Sequence, residues 1–221
     1  DLISFIVSER KILNNKFFKF GVIALSIVLI ACTGGSEAGC PELGDRNLNV
    51  VATTPMVGEF VNQVGGDNIN LTILMPAEAD PHSYEPSPQD AGTIADADLV
   101  FYTGLKYEPA PVVKLLENSA CSPEILAEVG ESVYPIEFNE EGEEDEEEGH
   151  EGHGHGAYDP HFWFDPSRVV YAAEYIEGKL SELDPSNQSN FEASLVSYKS
   201  ELSSLTGQVS DLISTVPSQN R

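Results

Sequence analysis

The chain reads as an α/β protein whose first half forms a parallel sheet flanked by helices. Three observations predict it. Short apolar, β-branched runs alternate with segments of helical spacing. The first three runs close on Pro or Gly. The pace of strand, helix, strand, helix matches βαβ units.

Residues 49–54 (Asn-Val-Val-Ala-Thr-Thr) form the first run, a buried strand closed by Pro55. Met56, Phe60, Val61 and Val64 then recur at helical spacing up to Gly65-Gly66, a helix C-terminal signal. Residues 69–75 give a second strand, ended by Pro76. Residues 87–94 read as a helix, with Ser87 at the N-cap, Pro88 at the first helical position and Asp90 three residues past the cap. Residues 98–102 are a third strand stopped by Gly104, 111–118 a helix, and 132–136 a fourth strand.

Residues 137–157 hold almost no apolar side chains and are expected to be a disordered acidic loop. Asp165-Pro166 looks like an N-cap followed by a first-turn proline, opening a helix over 167–183 with Val170, Ala173, Ile176 and Leu180 on one face. Asp184-Pro185-Ser186 breaks it and starts another. There Phe191, Leu195, Tyr198, Leu202, Leu205, Val209, Leu212 and Ile213 keep a helical stripe until Pro217. A helix of roughly 30 residues spans ~45 Å. Little sequence follows it to pack against, so a second half beyond Arg221 is expected.

The N-terminal segment reads as an export signal. Lys11, Lys16 and Lys19 precede an uncharged apolar run over 20–31, too short to span a membrane comfortably. It ends at Leu29-Ile30-Ala31-Cys32, which resembles a bacterial lipobox. Residues 1–31 are then a signal peptide, Cys32 the lipidated new N-terminus, and 32–47 a flexible tether rich in Gly, Pro and small polar residues. Export leaves Cys40 and Cys121, an even number in an oxidising compartment, as either a disulfide or two separate thiols.

The formal net charge is −26. From Cys32 onward the chain carries 35 acidic and 7 basic residues, ten of the acidic ones between Glu137 and Glu151. Acidity this general argues against nucleic-acid binding and against docking on anionic lipid, and it favours attraction of cations.

The histidines carry the chemistry. All five lie in three places. Asp80-Pro81-His82-Ser83-Tyr84-Glu85-Pro86 and Asp159-Pro160-His161-Phe162-Trp163-Phe164-Asp165-Pro166 nearly repeat each other 79 residues apart. His150, His153 and His155 lie in the acidic segment, separated by glycines. Imidazole is the commonest side-chain metal ligand, and borderline divalent ions such as zinc suit it. A lone loop histidine is usually ordinary surface, but the repeat reverses that reading. His82 follows a strand end, where open α/β sheets bind ligands, and prolines stiffen its loop. Phe162 and Phe164 are expected to pack while His161 points inward. The three spaced histidines suit weak, fast-exchanging auxiliary binding. Two histidines do not complete a four-donor zinc site.

With these motifs, with Ala52-Thr53-Thr54-Pro55, with Asp90 and with Asp184-Pro185, the chain from residue 49 to 221 resembles the metal-binding substrate proteins of ABC importers for zinc and manganese, the cluster A-I solute-binding family. The acidic His-rich insertion resembles the zinc-selective members. The resemblance implies two α/β lobes joined by one rigid helix, with metal held between them. His82 and His161 would be the ligands of the N-terminal lobe (48–183), and 184–216 the interlobe helix. The other ligands, a His and often an acidic residue, would come from a C-terminal lobe absent from this chain.

The implied protein is a monomeric, lipid-anchored, extracytoplasmic receptor, periplasmic or on the cell surface. It hands Zn2+ (with Mn2+ less favoured) to the ABC permease of an importer and is not an enzyme. A zinc hydrolase is the alternative from another class, but neither Asp-Pro-His run carries the helical His-Glu-x-x-His pair such enzymes usually show. A metal-regulated adhesin of the same fold is a third reading.

Overall fold

The computed structural model describes residues 40–137 and 157–220. Cys32, His150, His153, His155, the export signal and nearly all of the acidic segment lie outside them.

Four strands, β1 (Leu48–Ala52), β2 (Ile69–Ile73), β3 (Leu99–Tyr102) and β4 (Leu126–Glu128), form one sheet in the order β2-β1-β3-β4. Every pairing in it is parallel. Alternate strand residues face opposite layers, so the central strands β1 and β3 carry apolar residues on both sides. Val50, Ala52, Leu99 and Phe101 face one core, under α1 (Pro55–Gly65), α4 (Pro166–Leu183) and α5 (Gln188–Ser214). Val51 and Val100 face the other, with Ile94 of α2 (Pro88–Ala95) and Val112 and Leu116 of α3 (Ala110–Ser119). This is the expected α/β lobe with a long helix.

The helix starts are built as their sequences imply. Thr54 caps α1 by accepting from the Val57 amide. Ser87 and Asp90 form a reciprocal capping box at α2. Asp165 accepts from the Ser167 amide at α4, with Pro166 in the first turn. Before α5, the Asp184 carboxylate collects the Ser186 and Asn187 amides, the Ser186 hydroxyl and the Asn187 side-chain amide.

Three expectations need correction. The fourth strand is not 132–136 but Leu126–Glu128, extended by amides of Val129 and Gly130 donating to the carbonyls of Tyr102 and Thr103. Residues Gly130–Val133 coil into a 3-10 turn, and Tyr134 is left-handed at φ 51°. Gly130 is required there, because a Cβ would stand 2.6 Å from the Thr103 carbonyl oxygen. Ile136 and Glu137 instead form β5 (Ile136–Glu137), antiparallel to β6 (Tyr158–Asp159). Glu137 therefore belongs to a ribbon at the base of the acidic segment.

The buried face of α4 is Val169, Ala172, Ala173, Ile176 and Leu180, with Val170 only partly covered. On α5, Phe191 and Leu202 are buried, whereas Leu205, Val209, Leu212 and Ile213 are exposed.

Residues 40–47, read above as tether, are tied down. Cys40 and Cys121 form a disulfide with Cα atoms 4.9 Å apart. Arg46 grips Asp98 with both guanidinium nitrogens, at 2.5 and 2.8 Å. Burial disfavours a lone Asp98 charge, and the fork-shaped pair offsets that cost.

Candidate metal centre

The sheet order reverses between β1 and β3, since β1 leads outward to β2 and the chain then returns to β3 on the other side. Such a switch point leaves a crevice beyond the carboxyl ends of the strands. Thr53 and Thr54 follow β1, and Thr103 to Glu108 follow β3. Both histidine loops arrive at this edge.

His82 lies in the loop between β2 and α2. The Asp80 carboxylate takes the His82 amide at 3.0 Å and the Ser83 hydroxyl at 3.0 Å, closing a tight turn. Tyr84 donates to Asp90 at 3.0 Å, which fastens the end of the loop to the α2 cap. The His82 side chain is exposed.

His161 is held by the same device one motif later. Asp159 accepts the His161 amide at 2.9 Å, and its Oδ1 also meets the His161 Nδ1 at 2.7 Å. Burial would raise the Asp159 pKa, but the His161 amide and ring outweigh it and hold the carboxyl below its ordinary value. An ionised carboxylate can only accept, so Nδ1 carries the proton and the Nε2 lone pair is left for a cation. The ring is half-buried.

The two loops meet on one side chain that sequence reasoning missed. Tyr107 is 5 % exposed. Its ring centroid lies 5.1 Å from His82, 5.8 Å from His161 and 5.1 Å from Trp163, all edge-on. Trp163 also stands against His161 at 5.2 Å. Burial first, then the charges of Glu108 and Asp80, raise the Tyr107 phenol pKa and keep it neutral.

Beneath Tyr107, the buried Glu108 carboxylate accepts from the Thr53 hydroxyl (2.7 Å) and the Thr103 and Gly104 amides (2.7 and 2.9 Å). Burial raises its pKa and those donors oppose the rise. A polar Thr-Thr and a Thr-Gly placed just past two buried strands were the available signals for this floor.

Phe162 packs on Phe60 with centroids 6.2 Å apart, as expected. Phe164 does not join the core: it is 81 % exposed, with only a tilted ring contact to Trp163 at 6.1 Å. A three-residue 3-10 turn cannot aim all its side chains inward, and Phe162 takes the core side. Phe164 borders a groove of about 480 Å3 with Pro166, Thr206, Val209 and Ile213.

Among the described residues no three His, Cys, Asp or Glu side chains converge as a metal site. What the lobe presents is two imidazoles set against Tyr107, with the His161 ring backed by Asp159.

Comparison with known proteins identifies the family. The family model described as zinc-uptake complex component A, periplasmic, matches residues 50–221. The chain is 32 % identical over 199 residues to the metal ABC transporter substrate-binding lipoprotein ScbA of Streptococcus cristatus, covering 87 % of this chain and 59 % of that protein. It is 30 % identical over 202 residues to the manganese ABC transporter substrate-binding lipoprotein PsaA of Streptococcus mitis, covering 88 % and 60 %. The crystal structure of Zn(II)-bound AdcA from Streptococcus pneumoniae superposes with a TM-score of 0.59 at 30 % identity, covering 73 % of this chain and 32 % of that one. The chain thus spans about three fifths of the length of the curated relatives it matches. With a family model covering most of the chain and a matching α/β lobe, the chain belongs to the zinc-uptake complex component A family.

Proposed function

We propose that this chain is the metal-capturing part of an ABC importer's substrate-binding lipoprotein, with Zn2+ as cargo and His82 and His161 as its two nitrogen donors. The observation that carries this reading is the convergence of both Asp-Pro-His turns on Tyr107 at the switch point. The importer role is supported by the names of the relatives.

The geometry suits capture rather than catalysis. The Nε2 of His161 is set as a lone-pair donor by Asp159, and the exposed His82 can take a hydrated ion from solution. The abundance of carboxylates raises the local cation concentration. The remaining donors come from a second lobe joined through the helix over 184–216. His150, His153 and His155 form a weak auxiliary store on the acidic loop. Cys32 carries the lipid that keeps the monomeric receptor at the extracytoplasmic face, near its permease. No chemical step is required.

A second reading, manganese as cargo, is favoured by the name of the Streptococcus mitis relative. Manganese prefers oxygen donors, whereas two imidazoles suit zinc. Competitive titration of the full-length protein with zinc and manganese decides between them. Zinc should win, and His82→Ala and His161→Ala should each weaken it about tenfold or more. Unchanged zinc affinity in both variants would remove the assignment.

A further inference from the structure

Tyr107 touches both histidines, and the loop that carries it is held under strain. Gly104, Leu105 and Lys106 lie in the left-handed region at φ 75°, 52° and 63°. For Leu105 and Lys106 that conformation is unfavourable, so the fold must impose it.

Two carboxylates do so. Glu108 takes the Thr103 and Gly104 amides, and Glu128 takes the Leu105 amide at 2.8 Å. Glu128 also fills the space beside Gly104, where a Cβ would lie 2.0 Å from its Oε1. The outcome of this bracing is one ring, Tyr107, set against the His82 and His161 rings and edge-on to Trp163.

Resting on the metal-capture reading above, we propose that Tyr107 is the positioning residue of the histidine pair: its ring is a wedge that sets the spacing and ring orientation of His82 and His161 before a cation arrives. Neither imidazole then has to be ordered from a free rotamer distribution when metal binds, and that saving appears as affinity. Each edge-on aromatic contact is also directional, so it fixes an angle as well as a distance. The wedge acts through the ring, while the phenol oxygen serves neither as ligand nor as proton donor.

The test is zinc titration against a competing chelator in the full-length protein. Tyr107→Phe keeps the ring and should bind zinc within about twofold of the parent, while Tyr107→Leu should lose about fivefold or more. A merely structural role would not couple to the ligands. In a His82→Ala background the Tyr107→Leu effect should therefore shrink, a non-additivity read by the double-mutant cycle. Tyr107→Met serves as a second ring-free variant if Tyr107→Leu fails to fold.

Parental zinc affinity in the ring-free variants, alongside weakened His82→Ala and His161→Ala, would overturn the wedge and leave the histidine site standing. A loss in Tyr107→Phe as large as in Tyr107→Leu would also overturn it, by showing that the hydroxyl matters. Unchanged affinity in the histidine variants themselves would bring down the metal reading, and the wedge with it.

Discussion

Asp159 binds His161 twice through a single oxygen, taking the backbone amide at 2.9 Å and facing the ring Nδ1 at 2.7 Å. One carboxylate therefore fixes both the main chain and the ring of His161. Asp159→Asn should lower zinc affinity about tenfold, because an amide can orient its NH2 toward the ring and select the wrong tautomer. Nitrogen-15 spectra of the imidazole read the tautomer directly. An unchanged tautomer together with unchanged affinity would refute the coupling.

The acidic segment offers a separate expectation. Deleting residues 140–156 should reduce the number of zinc ions bound while leaving the tightest event nearly intact. Glycines separate His150, His153 and His155, which suits the weak auxiliary role proposed for them. Calorimetry reads both quantities, and loss of the tightest event would mean that the roles of the two histidine groups are reversed.

Acid should loosen the lobe through its caps. Hydrogen bonding from Ser167 holds the Asp165 carboxyl below its ordinary value despite some burial. Burial pushes Asp184 up, but its Ser186 and Asn187 donors overcome that and leave it lowered. A depressed folded pKa gives stability that is fully present above the unfolded value, about 3.9. That stability is lost as pH falls through the lower folded value. Asp184→Asn should therefore melt lower at neutral pH and show a shallower stability loss between about pH 4 and pH 2. A parental slope in that window would contradict the role given to Asp184.

Glu108→Gln tests the floor of the site. The carboxylate accepts from three donors, and an amide turns an NH2 toward at least one of them. Burying that mismatch should cost about 1–3 kcal/mol in thermal or denaturant unfolding. A loss under ~0.5 kcal/mol would show that the Thr53, Thr103 and Gly104 donors find other partners.

The long helix should be uneven in amide exchange. Phe191 and Leu202 are buried, and α5 packs there on α1 and α4. Leu205, Val209, Leu212 and Ile213 are exposed. In this 221-residue chain, amides beyond Leu205 should exchange faster than those between Phe191 and Leu202. Uniform protection along α5 would show a partner for that face.

Much of this was legible because several signals were local. Capping residues Ser87, Asp165 and Asp184 mark helix starts through bonds made within three residues, and the repeated Asp-Pro-His turns are likewise closed by their own aspartates. What stayed hidden depends on partners far along the chain. The run 126–128 is a strand only because β3 offers it a ladder. Tyr107 drew no notice in the sequence, since its meaning lies in two rings 25 and 54 positions away. Phe164 looked like core by composition, and a turn that buried Phe162 left it outside.

The disulfide gives the chain a covalent circuit. Cys40 and Cys121 enclose β1, β2, β3 and His82, while His161 lies beyond it. Closing a circuit with a separation of 81 residues restricts the unfolded chain by about 4–5 kcal/mol in the chain-entropy account. When the bridged protein unfolds, His82 stays confined to the ring and His161 drifts on an open strand. Under the site proposed above, zinc that engages both histidines would favour the native state, where the two loops meet on Tyr107. On the proposed zinc-capture reading, metal supply and survival of the fold are linked, and the metal-free protein should be the more open to proteolysis.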